Sequence, residues 1–286
     1  MRHPLFLAAL AGCALAVSGC MGNDDAEVSR ALKSVNAIDE TNLSDIMLTV
    51  GDPQEAVGYF ARTAAENPER IDLQRGLAKS LVRASEPARA VAVWTKVVSM
   101  PGATMDDSVS LADAQIRAGD WQAAKATLNT IPPTHETFER YKLEAMVADS
   151  EKNWKKADSF YETASGLTTR PSGVLNNWGF SKLTRGDAKG AEKLFAEALS
   201  FDATSFTTKN NLVLARAAQR KYDLPVVEMT QTERAQLLYT AALSAIKQGD
   251  VTIGKGLLQD AVDTSPVYFE EAARALEALD AGGKRG

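Results

Sequence analysis

Small and large apolar positions recur along this chain on a beat of about 34 residues. Ala56, Ala90, Ala124, Ala157 and Ala191 stand 34, 34, 33 and 34 residues apart, and Gly254 holds the same place in a later copy. Four residues beyond each comes a large side chain: Phe60, Trp94, Leu128, Tyr161, Phe195 and Leu258. Small residues let two helices approach closely, and the large ones fill the groove beside them. Gly51-Asp52, Gly119-Asp120, Gly186-Asp187 and Gly249-Asp250 precede four of the six copies by the same offset and are one turn repeated. Each copy therefore predicts helix A, a turn, then helix B. A fixed period in this range means stacked supersecondary units.

The pattern sets the organisation. Five repeats run 37–70, 71–104, 105–137, 138–171 and 172–205. A polar stretch and a short helix carrying Val28, Ala31, Leu32 and Val35 occupy 20–36 ahead of them. The beat fails over 206–234. Its helix A looks normal, but Pro225 stands where the small residue of helix B belongs. Proline stops a helix, and the β-branched pair Val226-Val227 favours extended chain, so 221–230 is expected to cross the stack in extended form. Thr230 with Glu233 predicts a capping box that restarts a helix. A last repeat and a capping helix fill 235–279, and 280–286 is a tail. In the unit 172–205, Leu175, Trp178, Gly179 and Lys182, followed by Ala191 and Phe195, resemble the tetratricopeptide motif, and the resemblance covers roughly 37 to 268. It implies an all-α tetratricopeptide-type α-solenoid, a right-handed superhelix of antiparallel helix pairs with a C-terminal capping helix.

The N-terminus predicts targeting. Arg2 is followed by an apolar run from Leu5 to Val17, too short to span a bilayer as a helix but suited to a signal-peptide core. Val17-Ser18-Gly19-Cys20 resembles the lipobox of bacterial lipoproteins. That implies removal of 1–19 and lipid on Cys20. Leu10-Ala11-Gly12-Cys13 fits the same letters but leaves a core of only a few residues, and an ordinary secreted chain with a chance Cys is the plain alternative. Met21 follows Cys20; the absence of Asp there favours the outer membrane in the enterobacterial sorting pattern.

Composition narrows the function classes. Removing Arg2 and no acid takes the net charge from −5 to −6, which with no basic patch argues against nucleic acid. Both cysteines, Cys13 and Cys20, lie in the targeting segment, so no disulfide or Cys metal site is expected. With His3 in the targeting segment, His135 is the one histidine left; it lies just after Pro132-Pro133 and reads as a solvated loop residue. No nucleophile-elbow or phosphate-loop motif is present, and Asp24-Asp25 and Asp106-Asp107 read as a linker pair and a helix-start pair. The expectation is a non-enzyme with no cofactor beyond the lipid, no metal and no small-molecule substrate. Trp94, Trp121, Trp154 and Trp178 fall at packing positions and read as core.

Binding candidates lie in helices A. Asn176-Asn177 and Asn210-Asn211 are one pair repeated, and by resemblance to peptide-binding tetratricopeptide proteins Asn177 and Asn211 are candidates to hydrogen-bond a ligand backbone. The plain alternative is bonding to neighbouring helices or loops. Nine residues into successive units, on the side expected to be concave, stand Asp45, Lys79 and Asp113, then Met146, Phe180, Leu214 and Leu243. An apolar stripe on an inner face wants a partner, an extended peptide or amphipathic helix, or is filled by 221–230 or the last helix.

The stretch Asn176-Asn177-Trp178-Gly179-Phe180, Gly186-Asp187, Ala191, Phe201-Asp202, Lys209-Asn210-Asn211-Leu212 and Leu224-Pro225-Val226-Val227 resembles the lipoproteins of Flp-type (Tad) pilus assembly, the TadD group, over about 170 to 270. The resemblance implies an outer-membrane-anchored, periplasm-facing scaffold that binds pilus-assembly proteins, the secretin among them. A general cell-envelope adaptor for outer-membrane protein assembly or cell-wall enzymes, and a soluble periplasmic chaperone, are the alternatives.

Overall fold

The computed structural model describes residues 43–283, and the expected signal peptide, Cys20 and the expected tether lie outside them. The described residues are all-α, with no strand among them. The expected short helix over 28–35 and the residues 284–286 also lie outside them. The described residues belong to two compact units that meet in sequence between Ser85 and Glu86.

The first unit holds α1 (43–49), α2 (Pro53–Glu66) and α3 (Ile71–Arg83). Asp52 caps α2 by accepting the amides of Gln54 and Glu55, and Pro53 supplies the fixed φ of a first helical residue. Phe60, Ala64 and Leu73 form its core with Met47, Leu48 and Leu77 around them. Arg83 reaches back from α3 to the carbonyls of Met47 and Gly51, at 2.7 and 2.8 Å, where α1 ends and its carbonyls lack helical partners.

The second unit runs from α4 (Pro87–Val97) through α5 (Met105–Arg117), α6 (Trp121–Asn129), α7 (Phe138–Ser150), α8 (Trp154–Gly166), α9 (Ser172–Thr184) and α10 (Ala188–Phe201). It continues with α11 (Phe206–Ala217), α12 (Gln231–Lys247), α13 (Val251–Thr264) and α14 (Glu270–Gly283). Successive helices pack as neighbours, and α7 also touches α5 and α9, as α9 touches α11. The alanines of the beat sit at the tightest points: Ala90, Ala124, Ala157 and Ala191 are fully buried here, as Ala56 is in the first unit. Their partners four residues on are buried with them, Phe195 completely, and Leu258, the partner of Gly254, is completely buried too.

The turn between helices A and B uses one left-handed residue in every copy after the first, where Gly51 is not left-handed, so the Gly-Asp turn is not one conformation throughout. Gly119, Gly186 and Gly249 have φ of 81°, 90° and 86° there. Lys152 and Arg220 occupy the same turn position with φ of 57° and 59°, and Ser85 does so with φ of 60°. The next residue caps helix B in most copies: Asp120 accepts the amide of Ala123, Asn153 that of Lys156 and Asp187 that of Gly190.

Residues 221–230 form neither helix nor strand, and Pro225 ends any continuation from α11. The segment does not lie across the apolar stripe. Leu224 instead packs among Val213, Leu237 and Leu257, Tyr222 beside Ala217 and Ala245, and Val227 against the α9–α11 core. It thus fills the space a helix B would take. The Thr230–Glu233 capping box forms as predicted, with bonds of 3.1 and 2.8 Å. The other Glu233 oxygen receives the buried ammonium of Lys209 at 3.1 Å.

Candidate functional site

The apolar stripe meets a pocket of about 310 Å³ between helices of three successive repeats. Trp121 opens α6 and Trp154 opens α8, each directly after the residue that caps its helix. Met146 and Asp149 come from α7, Tyr161 from α8, and Asn177, Phe180 and Ser181 from α9. The walls are aromatic and thioether surface, and Asp149 brings the one carboxylate of the lining.

Asp149 is a knot between helices. Its two oxygens accept the Ser181 hydroxyl at 2.7 Å and the Tyr161 hydroxyl at 2.9 Å. Burial raises the Asp149 pKa above the ordinary aspartate range, and the two hydroxyl bonds only partly offset this. Burial and the facing carboxylate push the Tyr161 phenol upward, so it stays a donor. Among the described residues no Lys or Arg makes an ion pair with Asp149. The cations nearby are spent on Asp158 instead. Arg185 pairs with Asp158 at 2.5 Å, Lys182 stands 3.7 Å from it, and the Trp178 indole donates to it at 2.6 Å. The Arg185 guanidinium also lies over the Trp154 ring, 5.7 Å from its centre.

The predicted site residues divide between this pocket and the interior of the stack. Met146, Asn177 and Phe180 line the pocket, and the Asn177 amide approaches the Met146 sulfur at 3.7 Å. Phe180 is 52% exposed and Leu243 42%, while Leu214 is half-buried. Asn211 is buried, and its amide donates to the Asn176 oxygen at 3.0 Å. Asn210 accepts the Thr240 hydroxyl at 2.8 Å. Asn176, Asn210 and Asn211 therefore tie α9, α11 and α12 together, and within the pair expected to hold a ligand backbone only Asn177 stands in the pocket.

One reading needs correction. His135 lies in its loop but is not simply solvated: its Nε2 meets the Asp106 carboxylate at 2.9 Å. Of the tryptophans, Trp94 is core, and Trp121 and Trp178 are half-buried but pack against core clusters as expected; Trp154 is half-buried and lines the pocket. Sequence reasoning missed Asp149, Tyr161 and Ser181 as a group. The signal that could have exposed the rim is the recurrence of Trp directly after the capping residue at 121 and 154.

Among the described residues no group of three His, Cys, Asp or Glu side chains could hold a metal ion, and no helix is long and apolar enough to cross a membrane.

No protein-family model and no curated protein matches the sequence. Solved structures do match. A chain of the APC/C hetero-tetramer Cut9–Hcn1 is 15% identical with a TM-score of 0.59, over 82% of this chain and 48% of that one. A tetratricopeptide repeat protein from Parabacteroides merdae is 14% identical with a TM-score of 0.54, over 83% and 96%. The C-terminal part of a TPR repeat-containing protein from Cytophaga hutchinsonii is 14% identical with a TM-score of 0.50, over 82% and 98%. The fold is the tetratricopeptide fold. The chain spans about half the length of the Cut9–Hcn1 chain it matches. Within a tetratricopeptide frame, the pocket lies on the side where helices A of neighbouring repeats, α7 and α9, meet.

Proposed function

We propose that this chain is a lipid-anchored scaffold at the periplasmic face of the outer membrane that holds protein partners during assembly of an Flp/Tad-type pilus secretion apparatus, without bond chemistry of its own. The observation that carries the binding part is the open apolar pocket at Trp121, Met146, Asn177 and Phe180, continued by exposed Leu243. Exposed apolar surface of this kind loses nothing on covering and favours a partner. The lipobox-like Val17-Ser18-Gly19-Cys20 supports the anchor, and the resemblance over 170–270 to TadD lipoproteins supports the pilus role.

A photo-crosslinking residue at position 180 tests the binding part in native envelopes. It should yield discrete adducts with pilus-assembly components, whereas the same residue at exposed Lys193 on α10 should not. Equal adduct patterns from the two positions would remove the site from the function.

A further inference from the structure

We infer that the pocket between α7, α8 and α9 receives an arginine side chain of the partner protein. This rests on the docking reading and names what the site selects. Three observations point to a guanidinium. The first is the wall: Trp121, Trp154 and Phe180 line one pocket, and a planar, weakly hydrated cation stacks on such faces. The second is charge. Asp149 lines the pocket with a carboxylate that no Lys or Arg pairs among the described residues, and its two hydroxyl partners leave each oxygen a lone pair. Arg185 acts on this half-buried acid only from a distance, bonded to Asp158, and a partner cation would supply a direct ion pair. The third is the local precedent of Arg185, which lies over Trp154 while its guanidinium bonds a carboxylate, Asp158. The pocket brings the same two kinds of partner, indole surface and a carboxylate, into one lining. A volume of about 310 Å³ has room for one long side chain. Asn177 at the rim offers an amide to the main chain that carries it, which favours a peptide over a free cation.

The probe is the peptide Ac-Gly-Arg-Gly-NH₂, titrated into the purified chain while the indole N–H signals of the tryptophans and the side-chain amide of Asn177 are followed by NMR. Trp121, Trp154 and Asn177 should shift, and the citrulline peptide, neutral and nearly isosteric, should bind about tenfold more weakly. Asp149→Asn, which keeps an acceptor for Ser181 and Tyr161, should reduce arginine affinity to the citrulline level. Equal affinities for the two peptides, or no shift with millimolar arginine peptide, would overturn the inference, and neither result depends on a variant folding. Ethylguanidinium binding as tightly as the peptide, with Asn177 unmoved, would assign the pocket to a small cation and overturn it as well. If position-180 crosslinking succeeds while arginine shows no preference, docking stands and the selection of arginine fails.

Discussion

Arg220 places its Nη1 at 2.8 Å from both carboxylate oxygens of Asp250, the residue that follows the left-handed turn glycine of the next helical hairpin. Tyr222 adds its hydroxyl to the same carboxylate at 2.5 Å. Asp250 consequently makes no side-chain cap on its own helix, unlike Asp52, Asp120 and Asp187. The aspartate has been diverted from capping to clamping, where the missing helix B leaves α12 and α13 in need of another tie to α11.

Arg220 holds a left-handed backbone, φ 59°, while forming this clamp, so two terms oppose each other. The backbone cost is about 1 kcal/mol for a non-glycine residue. An exposed ion pair contributes about 0–1 kcal/mol, and Arg220 is 60% exposed. Arg220→Gly loses the clamp but relieves the backbone and should melt close to wild type. Arg220→Ala loses the clamp and keeps the strain, and should be less stable than Arg220→Gly by about 1 kcal/mol. Chemical denaturation of the three proteins ranks them. Alanine equal to glycine would show that the turn carries no strain.

The same logic separates two other turns. Gly186→Ala, at φ 90°, should cost about 1 kcal/mol or more. Lys152→Gly, at φ 57°, should gain several tenths of a kcal/mol, since relief of the backbone exceeds the entropy glycine adds to the unfolded chain. The sequence shows Gly at one of these positions and Lys at the other, yet both are left-handed, and denaturation midpoints that moved the same way in the two variants would contradict this.

That contrast marks what the residues disclose in advance. A helix pair is legible because burying Ala124 beside Leu128, or Ala191 beside Phe195, demands small and large residues at a fixed offset, and the offset survives in the letters. The interruption at Pro225 is legible because its ring forbids a helix. Which way a side chain on helix A points is settled by partners 30 residues away. Asn211 turns to Asn176 and Asp149 to Ser181, pairs separated by 35 and 32 residues, so the pocket carries no local signature. Trp121 and Trp154 are half-buried for a related reason: at a first helical position, register gives the level in the stack and not the depth.

Acid should reveal two aspartates acting in opposite senses. The Gly190 amide holds Asp187 below the ordinary value of 3.8. Its contribution is therefore fully present above 3.8 and is lost as pH falls through the folded value. Asp187→Ala should cost about 1 kcal/mol at neutral pH, and the difference from wild type should fade in acid. Burial raises Asp149 above 3.8, so its contribution declines as pH rises through that window. Asp149→Asn should gain on wild type with rising pH. Thermal melts between about pH 3 and pH 7 check both, and parallel curves for either variant would contradict the assigned direction.

Close approach of α9 and α10 rests on Gly179. A Cβ there would stand 2.7 Å from Cε1 of Phe195, which is completely buried. Gly179→Ala should cost about 1–3 kcal/mol through overpacking, even though alanine favours a helix by nearly 1 kcal/mol. Gly173 in the same helix meets no atom within 4 Å, so Gly173→Ala should stabilise by about 0.5 kcal/mol. Phe195→Leu combined with Gly179→Ala should recover part of the loss, because residues in contact are not additive. Strict additivity would mean that the ring is not what forbids the methyl.

The anchor is decided in cells, since Cys20 lies outside the described residues. A single acyl chain binds a membrane only with K on the order of 10⁴ M⁻¹, whereas two or three hold durably. Acylated Cys20 would carry that number, and the rest of the described chain contains no helix able to span a bilayer. Cys20→Ala should move the protein from the membrane pellet to the soluble fraction while its helix content, measured by circular dichroism, stays at the wild-type level. Cys13→Ala should leave it in the pellet, because the competing motif ending there has too short an apolar core ahead of it. A Cys20→Ala protein that still sediments with outer membrane would show that something other than lipid on this residue holds it there.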